Sequence, residues 1–448
     1  MAVASTASMR VRSLDVGPDE TARAAHLLRR AGFGATTAEI EAAVARGYAE
    51  TVEYLLTAPD PAADAVPDPA IARPPADLGN EAKVLEANVL ATWWVQRMVV
   101  STNPLREKLP FFWHSLFTSG MDKVQSAWLL WKQNLTMRQL GGGDFEALAY
   151  ALTVDPAMLV WLDLVNSTKA APNENYAREF MELFALGRLD ANGAPNYTEN
   201  DVKASARSLT GWVPNLFGFI DPDHQPLATF DASKWDNGTK TFLGQTGAWN
   251  TRDIVRIVTH HPSSAPWVTS RLWSFFAYPV GPGDPVVADL APAFATDGNI
   301  TNLLRTVFLH PAFQSEKART GLVKSPVEYV IGALRALQIP ANPMTASPLV
   351  QLEQVPFRPP NVAGWPQNAY WVTTASALDK VSLGQAAAFL GNTAIVDGAA
   401  PADRCAALAT LLGLPGWSAR TQAALERCRQ EPKTMVALAL VSPEYLLN

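Results

Sequence analysis

The chain has little of what usually reveals a protein's function. Its 448 residues include only two cysteines and six histidines, and 17% of the residues are charged. The 36 basic and 42 acidic residues give a net charge of −6, and the basic ones are scattered, so we expect no nucleic-acid partner. No apolar run reaches the ~18 residues that a membrane span needs. The composition is therefore that of a globular protein with no membrane span.

The motifs of the common enzyme classes are also missing. The sequence contains no His-Glu-x-x-His pair, no Gly-x-Ser-x-Gly elbow, no Walker A loop and no dinucleotide fingerprint. His260 and His261 are adjacent, so they cannot share a helix face as metal ligands. We therefore expect no cofactor and predict no metal ligands, although a metal could still assemble from scattered Asp, Glu and His residues.

The two cysteines, Cys405 and Cys428, flank a pattern of helix, turn and helix. They lie about equally far from the turn at 413–417, so they are predicted to face each other and form a disulfide, which requires an oxidising compartment. The alternative is a pair of small buried thiols.

What the chain has in abundance is capped helical segments. The pattern predicts a mainly α fold, a multi-helix array of helical hairpins. Residues 1–20 are predicted to be a flexible N-terminus and 21–448 a single large helical domain with a Pro/Ala-rich loop at 58–79. A polar residue followed by proline begins several helices, because the first residue can cap and proline fits the first turn. These pairs are Asp155-Pro156, His261-Pro262, His310-Pro311, Ser325-Pro326 and Ser442-Pro443.

Two local features interrupt this pattern. Pro110 is predicted to kink or divide the helix that carries Glu107 and His114. Residues 213–248 form an irregular insertion, in which Asp236-Asn-Gly238 predicts the turn of a small β-hairpin. A loop of this length in a helical protein is usually a lid or a binding loop.

Seven segments together resemble a known family. They are Arg30–Gly34, Leu105–His114, Asn173–Leu183, Leu209–Trp212, Lys240–Gly244, Val323–Glu328 and Pro359–Trp365. In this order they are similar to the bacterial DUF1800 family over about residues 20–448. The resemblance implies a helical bacterial fold and gives no reaction. The family usually has His-Asp before the Lys-Thr-x-Leu-Gly segment, where this chain has Trp235-Asp236.

Members of the family often carry export signals. Residues 1–10 show no apolar segment after a basic patch. We therefore expect a periplasmic or secreted location if an export signal has been removed, and a cytoplasmic one otherwise.

The densest polar segment is the best candidate for a site. Asp163 lies in a loop rich in Asn, Ser and Thr, and a helix with Asn175, Arg178, Glu179 and Glu182 follows. Glu179 and Glu182 are three residues apart and can face one cleft as an acid/base pair, with Asp163 as a third catalytic candidate. On a regular helix, Glu174, Arg178 and Glu182 stack at i, i+4 and i+8, so the alternative is a ladder of surface ion pairs.

The remaining candidates are substrate-binding residues. The chain has 14 tryptophans, most of which we expect in the core, and Trp212 and Trp365 are predicted as walls of the cleft. His114, Asp236 and Lys240 are also candidates, with a core histidine as the alternative for His114. Ser325 and Glu328 fit a capping box, which leaves Lys324 free for an anion.

These observations support three hypotheses. The first is a carbohydrate-active hydrolase or lyase with paired carboxylates in a Trp-lined cleft, acting on a polysaccharide or another envelope ligand. The second is a non-catalytic cell-envelope or assembly protein whose motifs are structural. A redox or metal enzyme is the least favoured.

Overall fold

The computed structural model describes residues 18–73, 79–215, 228–342 and 345–447. The predicted flexible N-terminus lies outside these residues, except for its last three positions, which begin the first helix. The mainly α prediction is confirmed.

The N-terminal part is a series of helices joined by short turns. They are α1 Pro18–Ala31, α2 Thr37–Arg46, α3 Tyr48–Thr57, α4 Pro61–Asp64, α5 Asn80–Val100, α6 Leu105–Leu116, α7 Met121–Val124, α8 Ala127–Leu140, α9 Phe145–Thr153 and α10 Pro156–Trp161.

The middle part contains the only strands among the described residues. Its elements are a 3₁₀ turn at Leu164–Asn166, α11 Asn175–Glu179, a π-helical turn at Phe180–Ala185, α12 Glu199–Ser208, β1 Trp212–Pro214, β2 Ala228–Phe230, β3 Lys240–Phe242 and β4 Gln245–Gly247. β1 pairs with β2 and β3 with β4, both antiparallel.

The C-terminal part is again helical. It consists of α13 Thr251–Thr259, α14 Ser264–Phe276, α15 Pro285–Asp297, α16 Ile300–Leu309, α17 Glu316–Thr320, α18 Pro326–Ala336, α19 Ser347–Gln351, α20 Thr374–Leu390, α21 Ala394–Asp397, α22 Arg404–Leu411, α23 Ala419–Arg427, α24 Pro432–Leu440 and α25 Pro443–Leu446, with 3₁₀ turns at Pro311–Gln314 and Asn368–Trp371.

Local capping explains many of these helix starts. Asp155, Ser325 and Ser442 each accept a hydrogen bond from a backbone N–H of the helix that their proline begins, as predicted. His261 is different, because α14 begins only at Ser264 and the His261 ring accepts from the Ser263 N–H instead. The capping box of Ser325 and Glu328 is also present.

The structure differs from the expected local pattern at three places. Pro110 was predicted to kink or divide α6, and the helix continues undivided to Leu116. Asp236-Asn-Gly238 precedes β3, and the hairpin turn is Leu243-Gly244, where both residues have positive φ, 45° and 76°. Two such residues match the type I′ turn that two-residue hairpins favour. The Pro/Ala-rich loop contains a helical turn, α4, whose N-cap Asp60 also accepts from the hydroxyls of Ser101 and Thr102.

The two cysteines are free thiols in this structure, so the predicted disulfide is not formed. The predicted pair of helices is present as α22 and α23, and burial together with the nearby Cys428 raises the pKa of the Cys405 thiol. Cys428 follows the last turn of α23, and its Sγ donates to the Leu425 carbonyl at 3.3 Å. This local hydrogen bond satisfies the thiol within its own helix end.

The buried apolar side chains form one cluster that extends from α1 to α25. Helix α6 runs through it and carries two adjacent, fully buried charges, Glu107 and Lys108. Glu107 accepts from Trp94 Nε1 (2.9 Å), Arg97 Nε (3.0 Å) and both terminal nitrogens of Arg138 (2.6 and 2.7 Å). No described helix is both long and apolar enough to cross a membrane.

We expect Glu107→Gln to destabilise the protein strongly. The substitution keeps the shape but removes the carboxylate that binds the partly buried Arg138 and one of the two that bind Arg97, which also pairs with Asp64. Breaking a buried pair typically costs about 3–5 kcal/mol in the free energy of unfolding. Urea denaturation measures this loss in the free energy of unfolding. Glu53→Gln is the matched control, because Glu53 pairs with Arg305 at the surface and such pairs contribute about 1 kcal/mol or less. Equal effects of the two variants would contradict the role of Glu107.

The pH dependence of stability should report on Asp155. Burial raises its pKa to about 7, although Gln133 and the Met158 N–H donate to its carboxylate. The folded state therefore holds a proton that the unfolded chain releases near pH 4, so this group lowers stability as pH rises from about 4 to about 7.

Asp155→Asn removes this titration and keeps the cap acceptor. Relative to wild type, the variant is expected to gain on the order of 2–4 kcal/mol of stability between about pH 4 and about pH 8. Urea denaturation of both proteins at the two pH values gives the difference. A difference that does not change with pH would show that Asp155 has an ordinary pKa.

Candidate functional site

The predicted carboxylate pair lies where the helix geometry changes. Glu179 ends α11, and Glu182 lies in the π-helical turn Phe180–Ala185. Both side chains are half-buried. Burial and the neighbouring Glu182 raise the pKa of Glu179, while Arg178 partly opposes the shift. Single π-helical turns occur frequently at functional sites.

The π-helical turn also changes which residues are neighbours. On a regular α-helix Arg178 would lie between Glu174 and Glu182, but the wider turn rotates Glu182 out of that row. Arg178 instead binds Glu174 at 3.4 Å and Glu199 of α12 through two bonds of 2.7 and 2.8 Å. The predicted stack of three charges is therefore not formed.

Glu182 has a partner that the sequence analysis missed. The Tyr197 hydroxyl donates to Glu182 Oε2 at 2.9 Å. Burial and Glu182 raise the pKa of Tyr197, so this phenol keeps its proton. Tyr197 stands just before the cap of α12, and no periodicity or spacing singled it out.

The other polar candidates lie around this pair in two groups. Asp163, with a left-handed φ of 61°, accepts from Asn175 Nδ2 at 3.1 Å and pairs with Lys123 at 2.8 Å. Asp236 accepts from Arg207 of α12 at 2.7 and 3.1 Å, and this pairing lowers the Asp236 pKa. Helix α12 packs against both α11 and β3, and so connects the two groups.

Lys240 and Trp212 fix the insertion to the body of the protein. Lys240 is buried, and its Nζ donates to the carbonyls of Asp236 (2.5 Å) and Trp249 (3.0 Å). Burial lowers its pKa. The Nε1 of Trp212 donates to Thr251 Oγ1 at 2.9 Å. Residues 216–227 of the insertion lie outside the described residues. The prediction that the insertion covers the cleft therefore falls partly on residues that the structure does not describe.

A partly exposed group of aromatic rings lies on the insertion. Trp212 and Phe230 have ring centroids 5.5 Å apart, and Phe230 and Trp235 5.8 Å apart. Phe230 is 44% exposed. β1, which begins at Trp212, packs against the 3₁₀ turn that follows Asp163. Trp235 is the residue that departs from the family pattern. The centroid of its ring lies 5.3 Å from Lys240 Nζ.

Trp365 and His114 lie together in a different part of the molecule. Both are buried, with ring centroids 5.3 Å apart. Neither has a hydrogen bond, ion pair or ring contact with Glu179 or Glu182 among the interactions described. His114 Nε2 accepts from the Phe357 N–H at 3.0 Å, and burial lowers the His114 pKa to about 3, so the ring is neutral. Phe357 has a left-handed φ of 66°, which a bulky residue rarely adopts.

Beside Trp365 is a cavity of about 50 Å³ next to a buried ionic centre. Polar groups of Ser325, Glu328, Gln354 and Asn368 line it, together with aromatic rings. Glu328 binds the fully buried Lys108, which lowers the Glu328 pKa below its usual range despite burial. A cavity of this size has room for a few water molecules.

Lys324, which was predicted to be free for an anion, is buried beside this centre. Its Nζ lies 3.5 Å from the centroid of the Tyr445 ring. Burial, with Arg29, Lys108 and Arg30 nearby, lowers the pKa of Lys324 well below its ordinary value. Among the described residues, no cluster of three or more His, Cys, Asp or Glu side chains is arranged to hold a metal.

The seven segments that carry the family resemblance therefore divide into two groups. Four of them meet near α6, where Lys108 binds Glu328, the Glu328 carboxylate acts electrostatically on Arg30, and Trp365 packs on Phe111. Of the other three, Asn173–Leu183 carries the carboxylate pair, Leu209–Trp212 follows α12, and Lys240–Gly244 begins with β3; α12 packs against both α11 and β3. A family model described as "Protein of unknown function (DUF1800)" matches residues 26–447.

The chain belongs to the DUF1800 family. No curated protein and no solved structure matches it. Membership of DUF1800 confirms the resemblance and assigns no reaction, so the chemistry of this DUF1800 protein has to be argued from its own side chains.

Replacing His114 should cost stability. His114→Ala removes the acceptor for the strained Phe357 backbone and the ring contacts with Trp94, Phe357 and Trp365. We expect a loss of about 2–4 kcal/mol in the free energy of unfolding, measured by urea denaturation.

His260→Ala is the control, because His260 is exposed and should change stability by less than about 0.5 kcal/mol. A His114 variant as stable as the control would favour a ligand-binding role for His114.

Proposed function

We propose that the protein is a carbohydrate-active hydrolase or lyase in which Glu179 is the acid/base and Glu182 its partner carboxylate. The observation that carries the proposal is the half-buried pair where α11 passes into the π-helical turn, in which Glu179 has a raised pKa. A carboxyl group with a raised pKa keeps its proton to a higher pH than an ordinary one and can give it to a leaving oxygen.

The roles of the neighbours follow from their contacts. Tyr197 orients the Glu182 carboxylate through its hydroxyl. Arg178 is engaged by Glu174 and Glu199, so it shapes the rim of the site and leaves Glu179 without a strong ion pair. Asn175 is exposed and, with Asp163, offers amide and carboxylate groups to sugar hydroxyls.

A sugar is the substrate class that the aromatic group favours. Partly exposed rings such as Phe230 and Trp212 provide flat apolar surfaces, which suit the apolar faces of sugar rings. Trp365 was predicted as a wall of the cleft but is not part of the proposed site, because it is buried beside His114.

The first test is a screen of soluble neutral and uronate-containing polysaccharides. Release of reducing ends without new ultraviolet absorbance indicates a hydrolase, and absorbance of an unsaturated uronate indicates a lyase. Glu179→Gln is expected to lower the rate about 10²–10⁴-fold. Glu174→Gln on the same helix, which also loses a contact to Arg178, should stay close to wild type.

Stability separates this proposal from a purely structural role. Because the Glu179 pKa is raised, its charge lowers stability above that pKa, and Glu179→Gln should not destabilise the protein at neutral pH. A Gln variant that is unstable in urea denaturation, with no activity found for wild type, would favour the non-catalytic envelope or assembly protein. A Gln variant as active as wild type would remove Glu179 from the mechanism.

A further inference from the structure

Helix α20 presents an uncharged face to solvent. Every residue from Val372 to Leu390 is described, and twelve of them are exposed, none of them charged. The two charged residues of this stretch are turned away: Asp379 is half-buried, and Lys380 is buried and donates to the Trp371 carbonyl. In a chain with 17% charged residues, an uncharged exposed face of this length is unusual.

The same face concentrates large apolar side chains. Leu378, Phe389 and Leu390 are 66%, 75% and 69% exposed. Val372 and Val381 of the same stretch are 61% and 41% exposed. Large apolar side chains concentrated on one uncharged helix face mark a protein–protein contact more often than a free surface.

An apolar cavity opens beside this face. It measures about 210 Å³ and lies between α18, α20 and the residues Ile339, Asn342, Thr345 and Pro348. Ala386 and Leu390 of α20 line it, together with Tyr329, Ala333 and Leu334 of α18. The helix thus carries a protruding ring, Phe389, next to a hollow that can receive one.

We propose that two copies of this chain associate through α20, with Phe389 of each copy inserted in the cavity of the other. A twofold interface uses the same patch on both copies, so the patch must contain both the protruding group and its receptor. An uncharged face also meets its own copy without like-charge repulsion.

A second copy fits this face better than a lipid surface does. Helices that lie on membranes carry Lys and Arg along the polar border of their apolar face. The basic residue beside Phe389 is Lys433, and its Nζ already donates to the carbonyls of Ala388 and Phe389 at the end of α20. The borders of α20 therefore offer little attraction to anionic headgroups.

The experiment measures the mass of the full chain by size-exclusion chromatography with light scattering over a range of concentrations. Phe389→Ala removes the inserted ring, and Ala386→Trp fills the cavity. Both positions are exposed, so both variants should keep the wild-type circular dichroism. Leu309→Ala, at an exposed leucine on α16, is the matched control.

We expect wild type and Leu309→Ala to be dimers and each α20 variant to dissociate at least about tenfold more easily. An equimolar mixture of the two α20 variants should regain dimer, because Phe389 of the Ala386→Trp chain still fits the cavity of the Phe389→Ala chain. This recovery is specific to a reciprocal twofold contact.

Three results would overturn the proposal. One is a monomeric wild type at every concentration, and another is a pair of α20 variants as dimeric as the control. The third is a wild type that stays monomeric but binds phosphatidylglycerol vesicles through Phe389, which would assign the face to lipid.

Discussion

Two adjacent and opposite charges on α6, Glu107 and Lys108, are the constraint around which the structure is organised. Both side chains are fully buried. Glu107 binds groups of α5 and α8, and Lys108 binds Glu328 of α18. An unpaired buried charge costs several kcal/mol, so these helices can pack only where each charge meets its partner. Charge pairing therefore specifies the arrangement of helices that apolar contacts alone would leave less defined.

The polar side chains near α6 and those of the candidate site lie in different environments. Near α6 the charged side chains of Glu107 and Lys108 are buried and paired, and the adjacent cavity is small, about 50 Å³. At the carboxylate pair the groups are half-buried, and Glu179 has no strong cationic partner. A group that is partly desolvated yet reachable can change its protonation during a reaction, whereas Glu107 is fully buried and enclosed by its hydrogen-bond donors. The proposed function rests on this difference in environment.

The residues that sequence reasoning chose for the site fall on both sides of this division. Glu179, Glu182, Arg178, Asn175 and Asp163 belong to one neighbourhood because a single loop and helix carry them. His114 and Trp365 were grouped with them by residue type alone. His114 lies on α6, and Trp365 packs beside it. Tyr197 was missed, since its contact with Glu182 exists only because α12 returns against α11.

Short-range chemistry explains what the sequence by itself determined: the helices, most of their caps and the family. A cap such as Ser325 with Glu328 depends on atoms within four residues, so the sequence pattern is sufficient. Only the tertiary structure decided the π-helical turn that moves Glu182 toward Tyr197, the positive φ of Phe357, and the burial of Lys324 against Tyr445. Each of these depends on contacts between residues distant along the chain, whose energies outweigh the local preferences that a sequence pattern records.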